Sequence, residues 1–153
     1  MTTDVQKYRA ALMSRLHTIL RRTRHYPQKM AIGGTMMDGK PCPPVAVSEA
    51  WTINSPTHGW IGYVLRTTHG YRSCSVTHVW EGCWHSNRDL CRDWYAIEWF
   101  YNHDAPEWRD KVRTALEAVD IPLSFNNEWA IRLLYNKGTR WQDAVTIMQQ
   151  EQS

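Results

Sequence analysis

The sequence has no run approaching the roughly 20 apolar residues that a membrane-spanning helix needs. Its greasiest segment, Trp94 to Phe100, is interrupted by Glu98. Lys7, Arg9 and Arg15 break the N-terminal stretch in which a secretory signal would carry a continuous apolar core. The expectation is therefore a soluble, cytoplasmic chain with no membrane partner. No Cys-x-x-Cys pair occurs, which removes thioredoxin-like and zinc-ribbon chemistry. No Gly-x-Gly-x-x-Gly, Walker-type phosphate loop or Gly-x-Ser-x-Gly nucleophile turn occurs either. Phe appears only twice. Without a secretory signal, the four cysteines (Cys42, Cys74, Cys83, Cys91) read as reduced thiols rather than two disulfides.

What remains is a chain of 153 residues, the usual size of one domain, and 42% of it is apolar. That content can offset the entropy of ordering the backbone, so residues 1–153 are expected to form a single globular domain. Nine Trp stand out. Each joins a large apolar area to a polar tip, which suits half-buried and interface positions. Charge is uneven. Residues 1–48 hold eight basic residues and two acids, a balance of +6, and the remainder is −3. A basic N-terminal part on a mildly acidic body points to an acidic or polyanionic partner.

Val5, Tyr8, Leu12, Leu16, Ile19 and Leu20 recur at helical spacing and predict an amphipathic, basic helix over residues 4–25, stopped by Pro27. Residues 27–44 are turn-rich. A small antiparallel sheet is predicted over about residues 45–80, from extended segments at Val45–Ile53, Trp60–Thr67 and Tyr71–Trp80. Thr68-His69-Gly70 forms the turn between the last two, with Gly70 at positive φ. From 86 to 150 the pattern is helical, with four segments: one capped near Asn87 and running to about Asn102, then about 105–119, 126–136 and 140–150. The class is α+β.

Three Thr-His-x-aromatic copies, beginning at Thr57, Thr68 and Thr77, are the most conspicuous motif. Pairing around the 68–70 turn would bring His78 and Trp80 beside His58 and Trp60, gathering His58, His78, Cys83 and His85 at one end of the hairpin. Zinc accepts four such nitrogen and sulfur ligands tetrahedrally, but the Cys83-Trp84-His85 spacing converges poorly and matches no standard module. The favoured expectation is no cofactor and no metal, with those four residues as the zinc alternative. A Cys/His nucleophile pair built from Cys83 or Cys74 with His85 or His78 lacks any surrounding signature, and no catalytic residue is assigned.

The run Trp94 to Tyr101 reads as the central buried helix, leaving some of Trp51, Trp60, Trp84, Trp108 and Trp141 to reach the surface. The last two helices have a helix-turn-helix outline. Arg140 is outweighed there by Asp143 and Glu151, so an ordinary αα-hairpin is the better reading. These features lead to a non-enzymatic binding protein, of the accessory or inhibitor kind that phages and plasmids encode. Its contacts to a protein or nucleoprotein partner would come from exposed aromatics and from Arg15, Arg21, Arg22, Arg24, Tyr26 and Lys29. Direct nucleic-acid binding by the same basic segment is the first alternative. A zinc or cysteine enzyme is the second.

Overall fold

The computed structural model describes residues 4–15, 17–24, 46–77, 80–104 and 106–152. The chain is α+β, as its patterning predicts, and divides into two compact units. One comprises Leu16–Ala96 and the other Met1–Arg15 with Ile97–Ser153. Among the described residues no helix is long and apolar enough to cross a membrane.

The first unit is built on a five-stranded antiparallel meander: β1 (Ile19–Thr23), β2 (Val47–Ser55), β3 (Gly59–Thr67), β4 (Gly70–Ser75) and β5 (Trp80–His85), in that spatial order. Two features depart from the sequence reading. The predicted 4–25 helix stops at Arg15, and residues 19–23 pair with β2 as an edge strand, Ile19 opposite Asn54 and Thr23 opposite Ala50. Leu16, Ile19 and Leu20 fit a helical stripe, but β-branched Thr18, Ile19 and Thr23 favour a pleated backbone, and the β2 ladder satisfies it. The predicted strand from Tyr71 to Trp80 is likewise two strands. β4 ends at Ser75, Val76 and Thr77 form a turn, and β5 returns so that Trp80 lies opposite Cys74. Ser75 and Thr77 share a side-chain hydrogen bond of 2.9 Å across that turn, which no Gly or Pro announces in the sequence. The sheet thus begins at residue 19 and ends at 85. The turn-rich 27–44 segment lies outside the described residues.

The 68–70 turn forms as predicted, with Gly70 at φ 108°. One face of the sheet carries Ala50, Tyr63, Leu65 and Cys74, all buried. The other face receives the first half of α2 (Arg88–Asp104). Asn87 caps that helix, its Oδ1 accepting from the Leu90 amide at 3.0 Å. Tyr95 places the helix on the sheet: its hydroxyl donates to the Ile61 carbonyl at 2.8 Å, and its ring lies directly over Gly62. A Cβ at Gly62 would sit 2.6 Å from the Tyr95 ring and hydroxyl, so no side chain fits there. Nearby the Arg88 guanidinium covers the buried Trp51 ring at 4.9 Å.

The second unit is helical: α1 (Asp4–Arg15), residues 97–104 of α2, α3 (Pro106–Ala118), α4 (Phe125–Asn136) and α5 (Trp141–Gln152). Ser124 caps α4, accepting from the Asn127 amide at 3.2 Å, and Gly138 at φ 81° ends the turn into α5. Tyr101, Val112, Leu116, Ile131, Tyr135, Ala144 and Met148 form the core, while Trp108 and Trp141 pack half-buried against it. α1 packs on α4, and its Ala11 and Leu12 are buried. Beside this core Glu128 Oε2 accepts from Arg113 at 2.9 Å and from Arg132 at 2.8 Å. Arg132 also approaches Glu98 at 3.7 Å and lies over the Tyr101 ring at 4.7 Å. Burial pushes the Tyr101 phenol above its ordinary pKa.

Two stability predictions follow from these contacts. Gly62→Ala forces Tyr95 off the sheet and is expected to cost about 1–3 kcal/mol in urea unfolding. A neutral result would show that the helix shifts freely. Glu128→Ala leaves Arg132 mostly buried with its main counter-ion gone, at an expected cost of about 3 kcal/mol. Glu128→Gln, which keeps an acceptor, should lose less.

Candidate binding surface

β1 follows from an alternation. Leu20 and Arg22 point to the face that α2 covers, and Ile19, Arg21 and Thr23 point to the other. Leu20 lies opposite buried Ile53 and is itself half-buried. Three of the other strand residues face solvent: Ile19 is 50% exposed, and Arg21 and Arg22 are exposed, while Thr23 is half-buried. Arg24, in the bend directly after the strand, is exposed too. Thr52 Oγ1 donates to the Arg21 carbonyl at 3.4 Å, tying the middle of β1 to β2.

The nearest described carboxylate is Glu49 of β2. It is 3.8 Å from Arg22, whose side chain stays 76% exposed, and it binds Arg66 of β3 more closely at 2.9 Å. One carboxylate thus serves two arginines, and among the described residues the edge carries more positive than negative charge. Such exposed pairs contribute at most about 1 kcal/mol, so these arginines do little for stability. Arg22, Thr23 and Arg24 line a depression of about 340 Å³ with Ser48, Glu49 and Ala50. At the other end of β1, the register places Ile19 opposite Asn54, and Asn54 opposite Trp60 at the start of β3. Trp60 is 44% exposed, with its indole N–H donating to the Gly62 carbonyl at 3.0 Å. The surface therefore joins a basic strip to two exposed apolar side chains. Residues 16–96 as a whole carry nine basic and five acidic residues, net +4; the helical unit carries nine and ten, net −1.

The sequence-derived binding residues separate on this fold. Arg21, Arg22 and Arg24 stand together at the edge. Arg15 is the last residue of α1, in the helical unit, so no continuous basic helix joins it to the other three. Tyr26 and Lys29 lie outside the described residues. Ile19, Trp60 and Arg66 complete the surface without having been singled out as one. Their convergence depends on strand register; the sequence marked Trp60 only as the aromatic of the Thr57 motif copy and as one of five candidate surface tryptophans. Of the other candidate surface tryptophans, Trp51 is buried, and Trp84, Trp108 and Trp141 are half-buried.

The His/Cys set is not gathered. His58 is exposed in the β2–β3 turn. β5 folds onto the outer side of β4, not beside β3, and carries Cys83 and His85 toward the 68–70 turn, with His85 opposite Tyr71. His58 and His85 are thus separated by the length of β3, on the order of 25 Å. His78 lies outside the described residues. His85 packs against Trp94 with ring centres 6.0 Å apart, and burial holds its pKa below the ordinary histidine value. Among the described residues no three His, Cys, Asp or Glu side chains are grouped to hold a metal ion. Cys74 and Cys91 are buried thiols that form no disulfide. Burial pushes the Cys91 thiol up to about 12, against a weaker opposing hydrogen bond from Ser73. A thiol held protonated in this way is a poor nucleophile.

No family model, curated protein or solved structure matches the chain.

Native protein at about pH 8 is expected to leave Cys91 unmodified by iodoacetamide, with labelling appearing on unfolding. Rapid native labelling would contradict the buried placement. The folded pKa lies above the unfolded one, so the thiol's contribution is complete below pH 9 and lost as pH rises toward 12. Cys91→Ala should flatten that alkaline decline.

Proposed function

We propose that this chain is a non-enzymatic binding protein that holds an acidic protein, or the protein part of a nucleoprotein complex, along the β1 edge of its sheet. The observation that carries the reading is the edge itself. Arg21, Arg22 and Arg24 are exposed within four residues, beside exposed Ile19 and Trp60, with Glu49 shared between Arg22 and Arg66. Arginine and tryptophan are the residues that most often dominate binding energy once water is expelled around them. The arginines would steer the encounter and fix its orientation, and the apolar pair would supply the desolvated contact.

Direct nucleic-acid binding remains the second reading, favoured by the same charge. Bases held without sequence preference stack on open aromatic faces. On this sheet Trp51, close to the arginines, is buried beneath Arg88, and Trp60 stands at the opposite end of β1 from Arg24. That distribution suits a protein contact better than a phosphate track.

The test compares wild type with Arg21→Glu/Arg22→Glu/Arg24→Glu as bait in nuclease-treated extract of the cells that make the protein. The expected result is a protein retained by wild type and reduced about tenfold or more by the variant, a difference of about 1.4 kcal/mol. Melting temperature should be nearly unchanged. Equal retention by both baits would remove the edge from the function. Retention that disappears with nuclease treatment would favour nucleic acid.

A further inference from the structure

We infer that the outer side of β1 receives an extended acidic segment of the partner as an added antiparallel strand. Two adjacent carboxylates on it would face Arg22 and Arg21, and a β-branched apolar residue would face Ile19. This rests on the binding reading above and specifies what the edge recognises.

The first argument is the backbone. β1 pairs with β2 along all five of its residues, and among the described residues no strand pairs with its other side. An edge of this kind offers N–H and C=O groups to an incoming strand. The second argument is the alternation of charge. Arg21 and Arg22 point to opposite faces of the sheet, so a ligand running over one face meets one of them. An added strand alternates with the same period and sets one side chain directly across from each, at about 4.5–5.5 Å between Cβ atoms. Adjacent acids on that strand therefore satisfy both arginines together.

Ile19 lies two residues from Arg21 on the same face and is half exposed. Its cross-strand neighbour should be apolar and pleat-compatible. In the antiparallel direction the incoming segment then reads acid, acid, any residue, Val or Ile. The same charges argue against a second copy of this chain as the occupant. Two antiparallel β1 strands in that register would set arginines against arginines, and like charges directly opposite destabilise pairing. Basic residues at a sheet edge thus block self-association while selecting an acidic strand.

The probe is a fluorescein-labelled peptide, Thr-Val-Glu-Glu-Thr-Val-Thr, titrated with the full chain and read by anisotropy. A second peptide carries N-methyl groups at two consecutive central amides. Charge and side chains are kept, but at least one edge-facing hydrogen bond is blocked. The expected result is saturable binding of the first peptide, weakened about tenfold by N-methylation and again by Arg21→Gln/Arg22→Gln. Equal binding of the two peptides, with loss in the arginine variant, would overturn strand addition and leave the basic-edge reading intact. No saturable binding at millimolar peptide would also overturn it. An arginine variant that binds the peptide and retains the captured partner like wild type would overturn both readings. If single-stranded oligo-dT displaced the peptide at lower concentration than unlabelled peptide did, the protein-strand assignment would fall in favour of nucleic acid.

Discussion

Tyr95 lies over a glycine and reaches a main-chain oxygen, and the sheet-based unit depends on that contact. Because Gly62 has no side chain, the Tyr95 ring approaches the β3 backbone directly, and its hydroxyl donates to Ile61. This fixes the first half of α2 over the central strands. Arg88 then covers Trp51, and Cys91 meets Ser73 in a buried, apolar setting. With one face so covered, the register of β2 and β3 cannot slip by a residue without turning every core side chain outward. β1 inherits that register from β2, and the exposed arginines take their places from it.

The two charged regions illustrate opposite uses of arginine. In the helical unit Arg113 and Arg132 converge on Glu128, with Glu98 close by, so two cations and two carboxylates cancel beside Tyr101. Such a cluster links α2, α3 and α4 and pairs its charges internally. At the β1 edge Arg21, Arg22 and Arg24 are exposed, Arg22 and Arg66 share Glu49 among the described residues, and such exposed pairs contribute little to folding. Side chains that the fold does not need are free to act on something else. That contrast is why the proposed contact is placed at the edge rather than at the partly buried network.

Much of the helical unit was legible in the chain. Residues that start helices are found at Asn87, Ser124 and Pro106, the breaker Gly138 stands where α4 ends, and the predicted segments match α2 to α5 within about two residues. Caps and breakers act through neighbouring backbone groups, so their effect is written locally. The Thr68-His69-Gly70 turn was legible for the same reason, since positive φ favours glycine. The predicted αα-hairpin of the last two helices is present as α4 and α5. The second half of the predicted N-terminal helix and the long third strand were misread where local pattern permits two answers. An apolar spacing of three and four residues does not exclude a short strand once β2 offers a ladder. A period-two pattern running through Ser75 and Thr77 hides a turn that neither glycine nor proline marks.

By itself, then, the sequence determined the α+β class, the helix boundaries set by caps, and the excess of basic residues in the N-terminal third, because composition and nearest-neighbour chemistry suffice for each. Tertiary structure decided which basic residues stand together. Strand pairing separated Arg15 from Arg21, Arg22 and Arg24, and brought Trp60, forty-one residues after Ile19, onto the same cross-strand row. It also carried His85 away from His58 by folding β5 onto the far side of β4. Register is a long-range property: it depends on which strands hydrogen-bond, and no window of local sequence contains both partners.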